Sequence, residues 1–423
     1  MFLYTIKVEK GLLIYNTFTH SLTLLQGEEI AVFEKYESSN AMILEGLIRK
    51  RIFVDADLDE IKLYKQIYNV AKNLDIKKDI TLYTILTTMD CNARCFYCYE
   101  EKEPHSHMTI ETAESLVNYI SSHCGKKEVK LSWFGGEPLC NISVIEYICK
   151  ALRQKGIKFS SIMTTNGYLF NHALITNAYK NWNLERVQIT LDGTEDKYNE
   201  IKNYIYKDEV SPFKRVIKNI GMLIDAGIKV VIRLNLSEEN IDDIYELVNF
   251  ISKQFNDKKL FYVYTGLVSN YDAIEYIWGS EHRKAMIEER NKLEKYIFEL
   301  GLKNNIKPAN TLQIRQCMAA YDGSTVITPD GKLCKCEHIE DGEIYGSIFT
   351  DKVNKDIIKS WSEEIEHDHK CNKCLYLPLC FHLKKCPAYK KFVCDKYEYE
   401  LKITDLKYAV LNMYNKYLIE KSV

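Results

Sequence analysis

The sequence predicts an α/β protein: six strand–helix units forming a partial (βα)6, TIM-like barrel, with a small module before it and a cysteine-rich region after it. Three observations carry this. From Thr81 to about residue 304, apolar runs of strand length alternate with amphipathic helical segments. Most of the fourteen cysteines fall in two dense regions, 91–98 and 317–394. Neither flank of the alternating stretch continues its pattern. Alternation of this kind favours parallel strands joined by right-handed crossovers. A closed eight-fold barrel would need two more units, so an open or partial barrel is expected, with its chemistry at the C-terminal strand ends.

In chain order, residues 1–80 contain the strand-like "LYTIKVEKGLLIYN" and "HSLTLLQ" and a helix from about 28 to 36. The segment "EGLIRKRIFVD" follows, then a charged helix from Leu58 onward. Residues 81–307 supply the strands "TLYTILTT", "EVKLSWF", "KFSSIMTTN", "RVQITLDG", "IKVVIRLNL" and "KLFYVYTGL". Helices are expected over 109–123, 142–154, 171–181, 213–226, 240–255 and about 281–304. In residues 308–423 the alternation gives way to short, loop-rich, cysteine-rich sequence that lacks the apolar runs to close a core without bound metal. A last helix, "YEYELKITDLKYAVLNMYNKYLIEK", spaces Leu, Val and Tyr by three and four residues, as a packing surface does.

Lys plus Arg (57) nearly balance Asp plus Glu (59), so no strong field points to nucleic acid or an anionic membrane as partner. The N-terminus lacks a basic stretch followed by an unbroken apolar one, and no apolar run reaches the roughly 18 residues of a membrane span. A cytoplasmic protein is expected. In a reducing compartment, clustered cysteines point to metal or catalysis rather than disulfides.

In "TTMDCNARCFYCYEE", Cys91, Cys95 and Cys98 form C-x3-C-x2-C just after the first of the six strands. Zinc normally takes four ligands, or three and water, and often includes histidine; His105 and His107 lie past the loop. A redox pair would use Cys95 and Cys98 alone, leaving Cys91 unexplained. Three thiolates on one loop suit a [4Fe-4S] cluster whose fourth iron is left open.

At these residues the sequence resembles the radical S-adenosylmethionine (radical SAM) superfamily, whose three-cysteine loop follows the first strand of a partial barrel. "WFGGEP" after the second strand matches that family's GGE motif at Gly135, Gly136 and Glu137, which implies reception of the methionine ammonium, with glycine admitting close backbone approach to the ligand. "TTNG", containing Asn166, and "TLDG", containing Thr190 and Asp192, resemble family positions around the SAM ribose and carboxylate. "IRLN" adds Arg233 as a carboxylate partner, since a guanidinium makes two parallel charge-assisted bonds. Tyr97 resembles the family's aromatic at the adenine, while Phe96 packs the loop. The implied chemistry is reductive cleavage of SAM to methionine and a 5'-deoxyadenosyl radical that abstracts hydrogen from the substrate. A flavodoxin- or ferredoxin-type reductant is implied with it.

The second region, "CMAAYDGSTVITPDGKLCKCEH" followed by "CNKCLYLPLCFHLKKCPAYKKFVC", resembles the SPASM domain of radical SAM enzymes, which carries two auxiliary [4Fe-4S] clusters. By that resemblance Cys317, Cys336 and Cys386 hold the first and Cys371, Cys374, Cys380 and Cys394 the second. The gap Cys380-x5-Cys386 is longer than the family's usual three residues, and Cys334 is a spare thiol that either ligates the first cluster or leaves it open. A zinc ribbon would need only four of these cysteines. Cys124, Cys140 and Cys149 fall on predicted helices or their ends, as buried thiols do.

Residues 1–80 resemble N-terminal extensions of ribosomal-peptide maturases, where a small winged-helix-like module binds a leader peptide along a strand edge. A precursor peptide with a leader is the implied substrate, and a thioether or carbon–carbon crosslink the implied product. Alternatives are a formylglycine-forming enzyme of the anaerobic sulfatase-maturase kind, and a non-catalytic iron-sulfur carrier or peptide scaffold, in which residues 1–80 only cap the barrel.

Overall fold

The computed structural model describes residues 1–422 except 36–39, 75–78, 101–104, 207–208, 256–258, 269–279, 304–316, 339–342, 351 and 387–391. The expected domain boundary at 307 lies outside the described residues.

The N-terminal module is an antiparallel sheet of β1 (Leu3–Val8), β2 (Gly11–Asn16) and β3 (Leu22–Leu25), in that order. Three helices follow: α1 (Glu28–Lys35), α2 (Ala41–Arg49) and α3 (Glu60–Leu74). The "EGLIRKRIFVD" segment is divided: its first half completes α2, whose first turn is capped by Asn40 accepting from Met42 and Ile43 N–H. β2 is apolar on both faces because both are covered. Leu12 and Ile14 pack with Val32 and Leu47 of α1 and α2, while Leu13 and Tyr15 pack with Leu406 and Val410 near the chain's end.

Six parallel strands follow: β4 (Leu82–Thr88), β5 (Val129–Gly135), β6 (Phe159–Thr165), β7 (Leu184–Leu191), β8 (Lys229–Leu236) and β9 (Phe261–Leu267). Between them run α4 (Ile110–His123), α5 (Ile142–Gln154), α6 (His172–Asn181), α7 (Glu195–Lys202), α8 (Pro212–Asp225) and α9 (Ile241–Phe255); α10 (Glu281–Glu299) follows β9. Alternate strand residues such as Ile85, Leu131, Val187, Ile232 and Val263 point outward into one core shared with the helices. Their neighbours point inward to a half-open concave face. The short helix α7, immediately after "TLDG", was not expected from the sequence.

The sheet does not stop where the alternation does. β10 (Ser324–Ile327) lies parallel to β4, and β11 (Lys332–Cys334) and β12 (Gly346–Ser347) extend the edge antiparallel. The sheet is thus nine-stranded, β12-β11-β10-β4-β5-β6-β7-β8-β9, and among the described residues it is not closed. The sequence assigned this stretch to loops, but "STVITPDGKLC" is a hairpin. Gly331 takes φ +78°, its N–H reaches Thr328 O at 2.9 Å, and Lys332 N–H reaches Thr328 Oγ1 at 2.9 Å.

After the short helix α11 (Lys355–Ser360), the chain ends in α12 (Lys396–Ser422), which packs against both the N-terminal sheet and α10. Arg290 of α10 pairs with Asp405 of α12 at 2.5 Å. Among the described residues no helix is long and apolar enough to cross a membrane.

Candidate functional site

β4 delivers the three-cysteine loop, and the end of β5 holds it from beneath. Gly136 N–H donates to Thr88 O (3.0 Å) and Glu137 N–H to Asp90 O (2.8 Å). A Cβ at Gly135, which takes φ +117°, would sit 2.1 Å from Thr88 O, and one at Gly136 2.3 Å from Asp90 O. These glycines are therefore demanded by backbone packed on backbone. The fully buried Glu137 carboxylate ties β5 to β6. It accepts from Thr165 Oγ1 (2.8 Å), Asn166 N–H (2.8 Å) and Leu139 N–H (3.1 Å). Burial lifts its pKa to about 7, against the pull of those donors and of Lys202.

Within the loop, burial pushes the Cys91 thiol up to about 12 and Cys98 to about 11, and the neighbouring Cys95 adds to both. Among the described residues no three metal-ligating side chains converge on a single point. Asn166 Nδ2 donates to Asn92 Oδ1 at 2.7 Å and lies 3.9 Å from Cys91 Sγ.

Tyr97 is fixed by two groups. Its hydroxyl donates to Asp192 Oδ1 (2.8 Å) and accepts from Lys202 Nζ (3.0 Å), and Lys202 Nζ lies 2.9 Å from Asp192 Oδ2. The ion pair is buried, its side chains 5% and 0% exposed. Burial alone would push Lys202 down, but Asp192 and the adjacent Cys95 and Tyr97 hold its pKa well above the ordinary lysine value. The Lys202 carbonyl also accepts Arg94 N–H (2.9 Å), so the end of α7 braces the cysteine loop. Sequence reasoning missed Lys202, a single lysine nine residues past "TLDG" with no spacing signal. Thr190 and Arg233 face each other in register on β7 and β8. Arg233 Nε donates to Asn235 Oδ1 (2.8 Å), and its guanidinium occupies space that a side chain at Gly266 would close.

One buried donor here lacks a hydrogen-bond partner: Asn92 Nδ2, beside Cys91. A cluster sulfur offers it an acceptor, so the residues present fit a thiolate-bound cluster.

The remaining cysteines gather in two places. Cys317, Cys336 and Cys386 surround Ala319, Ala320, Trp361 and Leu383. Cys334 points elsewhere, into the concave face among Leu86, Met89 and Val326. Cys371, Cys374, Cys380 and Cys394 line one cavity of about 240 Å³ together with Lys402 and His382. Lys402 Nζ lies 2.9 Å from His382 Nε2, and burial together with that ammonium pushes His382 down to about 3, leaving it neutral. The Tyr99 and His338 rings meet at 3.9 Å, joining the residue after Cys98 to the segment just beyond Cys336.

Residues 85–251 match the radical SAM superfamily. The GTP 3',8-cyclase of Clostridium perfringens (strain SM101 / Type A) is 26% identical over 307 residues, 68% of this chain and 88% of that protein. A probable GTP 3',8-cyclase of Pyrococcus abyssi is 30% identical over 179 residues, 42% of this chain but only about half (54%) of its own length. Among solved structures, anSMEcpe with bound AdoMet and Cp18Cys peptide aligns with a TM-score of 0.59 at 17% identity, over 80% of this chain and 99% of that one. Streptococcus suis SuiB bound to precursor peptide SuiA aligns with a TM-score of 0.54 at 15% identity, over 93% and 98%. At these identities the structural likeness is one of fold. A radical SAM domain implies SAM and a [4Fe-4S] cluster, and the orphaned donor at Asn92 fits the cluster. The chain carries a radical SAM domain.

Proposed function

We propose that this chain is a radical SAM maturase of a ribosomally made peptide, forming a thioether or carbon–carbon crosslink, with residues 1–80 recognising the leader and residues 308–423 forming a SPASM-like domain. The observation that carries this is the three-fold grouping of cysteines. Cys91, Cys95 and Cys98 would hold the SAM-binding cluster; Cys317, Cys336 and Cys386 a first auxiliary cluster; and Cys371, Cys374, Cys380 and Cys394 a second. Bound together, SAM and the first cluster supply hydrogen-abstracting radical chemistry. The chain's own part would be to orient and enclose: Tyr97, clamped by Asp192 and Lys202, would present a flat ring to the adenine, Thr190 and Arg233, in register on β7 and β8, would face the methionine carboxylate, and the wall of β5 to β8 would exclude water. Support also comes from the fold shared with SuiB, solved with a precursor peptide, whose alignment includes most of this chain.

A second reading, cyclisation of GTP, is favoured by the names of the sequence relatives. The two separate in one experiment. The reconstituted protein is incubated with SAM, dithionite and, in turn, a cysteine-containing precursor peptide, a sulfatase-type peptide and GTP, and the products are weighed by mass spectrometry. Loss of two hydrogens from the precursor peptide with a new crosslink is expected; conversion of GTP alone would replace this reading with the second.

A further inference from the structure

The segment that carries the second cysteine set has little of its own to hold it in shape. From Ser362 to Cys386 it makes two short 3-10 turns, His369–Lys373 and Leu377–Leu379, and one isolated bridge between Glu364 and Leu383. Leu377, Pro378, His382 and Leu383 are its buried residues, too few for a core. Its tight turns run from cysteine to cysteine: Cys374 N–H donates to Cys371 O (3.0 Å) and Cys380 N–H to Leu377 O (3.1 Å). With Cys394 these thiols line the one cavity of about 240 Å³. Four thiols around a shared space, in a segment without a core, are the donor set of a bound metal group, and where metal substitutes for a core its binding energy is folding energy.

The N-terminal module leans on this same segment. Thr17 Oγ1 donates to Leu375 O, Lys65 Nζ to Asn372 Oδ1 (3.1 Å) and the Tyr68 hydroxyl to Glu364 Oε1 (2.5 Å). Phe2, fully buried, packs with Tyr64 and Leu377 in a cluster that Cys371 and Cys374 border. Leu375, Tyr376 and Leu379 pack with Leu13 and Tyr15, on one face of β2. The rest of that face is covered by α12, which reaches both places. Its Tyr399 and Lys402 line the cysteine cavity, and one turn beyond Lys402, Leu406 and Val410 lie against β2. Loosening this cover would return Leu13 and Tyr15 to water, and a sheet of three short strands has little else to set against that loss.

We infer that the second cysteine site and the N-terminal module form one cooperative unit, so that metal held by Cys371, Cys374, Cys380 and Cys394 orders β1 and β2. The inference rests on the second auxiliary cluster proposed above. The coupling is reciprocal: a peptide gripping the module steadies the loaded site, and loss of that cluster weakens peptide recognition while leaving the loop at Cys91 to Cys98 intact.

The test is amide hydrogen exchange, read by mass spectrometry on the full-length protein before and after anaerobic reconstitution, with iron assayed in every sample. In metal-free wild type the amides of Leu3–Asn16 are expected to exchange about tenfold or more faster than in reconstituted wild type, while β5 to β8 keep their protection. That comparison involves no substitution, so a misfolded variant cannot imitate it. The Cys371→Ser, Cys374→Ser double variant, after reconstitution, should lack one cluster's iron and match metal-free wild type over Leu3–Asn16. The Cys91→Ala, Cys95→Ala, Cys98→Ala triple variant, which loses its iron elsewhere, should keep full protection there. Equal exchange of Leu3–Asn16 in reconstituted and metal-free wild type, with the double variant short of iron, overturns the coupling and leaves the second cluster standing; lost protection in the triple variant overturns the coupling too. Undiminished iron in the double variant overturns the second cluster, and the coupling with it.

Discussion

Lys202→Met is the most informative single change. It keeps the length and apolar stem of the side chain but removes the ammonium, leaving the Asp192 carboxylate at 0% exposure without its cation and the Tyr97 hydroxyl without its donor. Breaking one side of a buried ion pair costs about 3–5 kcal/mol, because the surviving charge stays desolvated. The lower end of that range already changes the folded-to-unfolded ratio more than a hundredfold, at about 1.4 kcal/mol per factor of ten. Urea denaturation followed by tryptophan fluorescence measures the loss, and Asp192→Asn completes a double-mutant cycle. In the double variant no buried charge is stranded, so it should be more stable than Lys202→Met alone by about 2 kcal/mol or more. If Lys202→Met lies within about 0.5 kcal/mol of wild type, or if adding Asp192→Asn makes it worse, the clamp assigned to this pair is wrong.

Glu137 gives a pH signature. Its folded pKa of about 7 exceeds the ordinary 4.5, so between those values the folded state holds a proton that the unfolded chain has lost. Its contribution is therefore most favourable below pH 4.5 and erodes by about 3 kcal/mol as pH rises to 7; Glu137→Gln should flatten that part of the stability–pH curve. Gly136→Ala, whose Cβ would meet Asp90 O at 2.3 Å, should cost about 1–3 kcal/mol and lower the iron bound on reconstitution, whereas Gly46→Ala, in a helix with open space around it, should do neither. Cys334→Ala should cost about 1 kcal/mol in packing yet leave iron content and Mössbauer spectra unchanged, because its side chain lies among Leu86, Met89 and Val326.

What could be foreseen follows from how locally each feature is encoded. The strands and helices around the barrel were legible because one apolar face per element repeats at period two or 3.6, and the cysteine loop because its three ligands lie within eight residues. The groupings of Cys317 with Cys386 and of Cys371 with Cys394 came only from resemblance, since their spacing is long, and the structure gathers both sets. Lys202 and Lys402 were illegible: each is one lysine on an ordinary helix until the fold turns it toward a buried carboxylate or a cysteine-lined cavity. The hairpin of β10 and β11 was not legible although "TPDG" marks its turn, because its strands, four and three residues long, are too short to show an alternating pattern. The glycines after β5 were legible as a motif, but their packing against the Thr88 and Asp90 carbonyls was not, because those contacts come from the neighbouring strand's loop.

In the proposed function, radical chemistry starts at the loop from Cys91 to Cys98. The most direct measurement compares wild type with the Cys91→Ala, Cys95→Ala, Cys98→Ala triple variant, both reconstituted anaerobically and given SAM and dithionite, with 5'-deoxyadenosine quantified by mass spectrometry. Wild type should form it, and the triple variant should form none while still binding iron at its other cysteines. Formation at the wild-type rate in the triple variant would contradict the account.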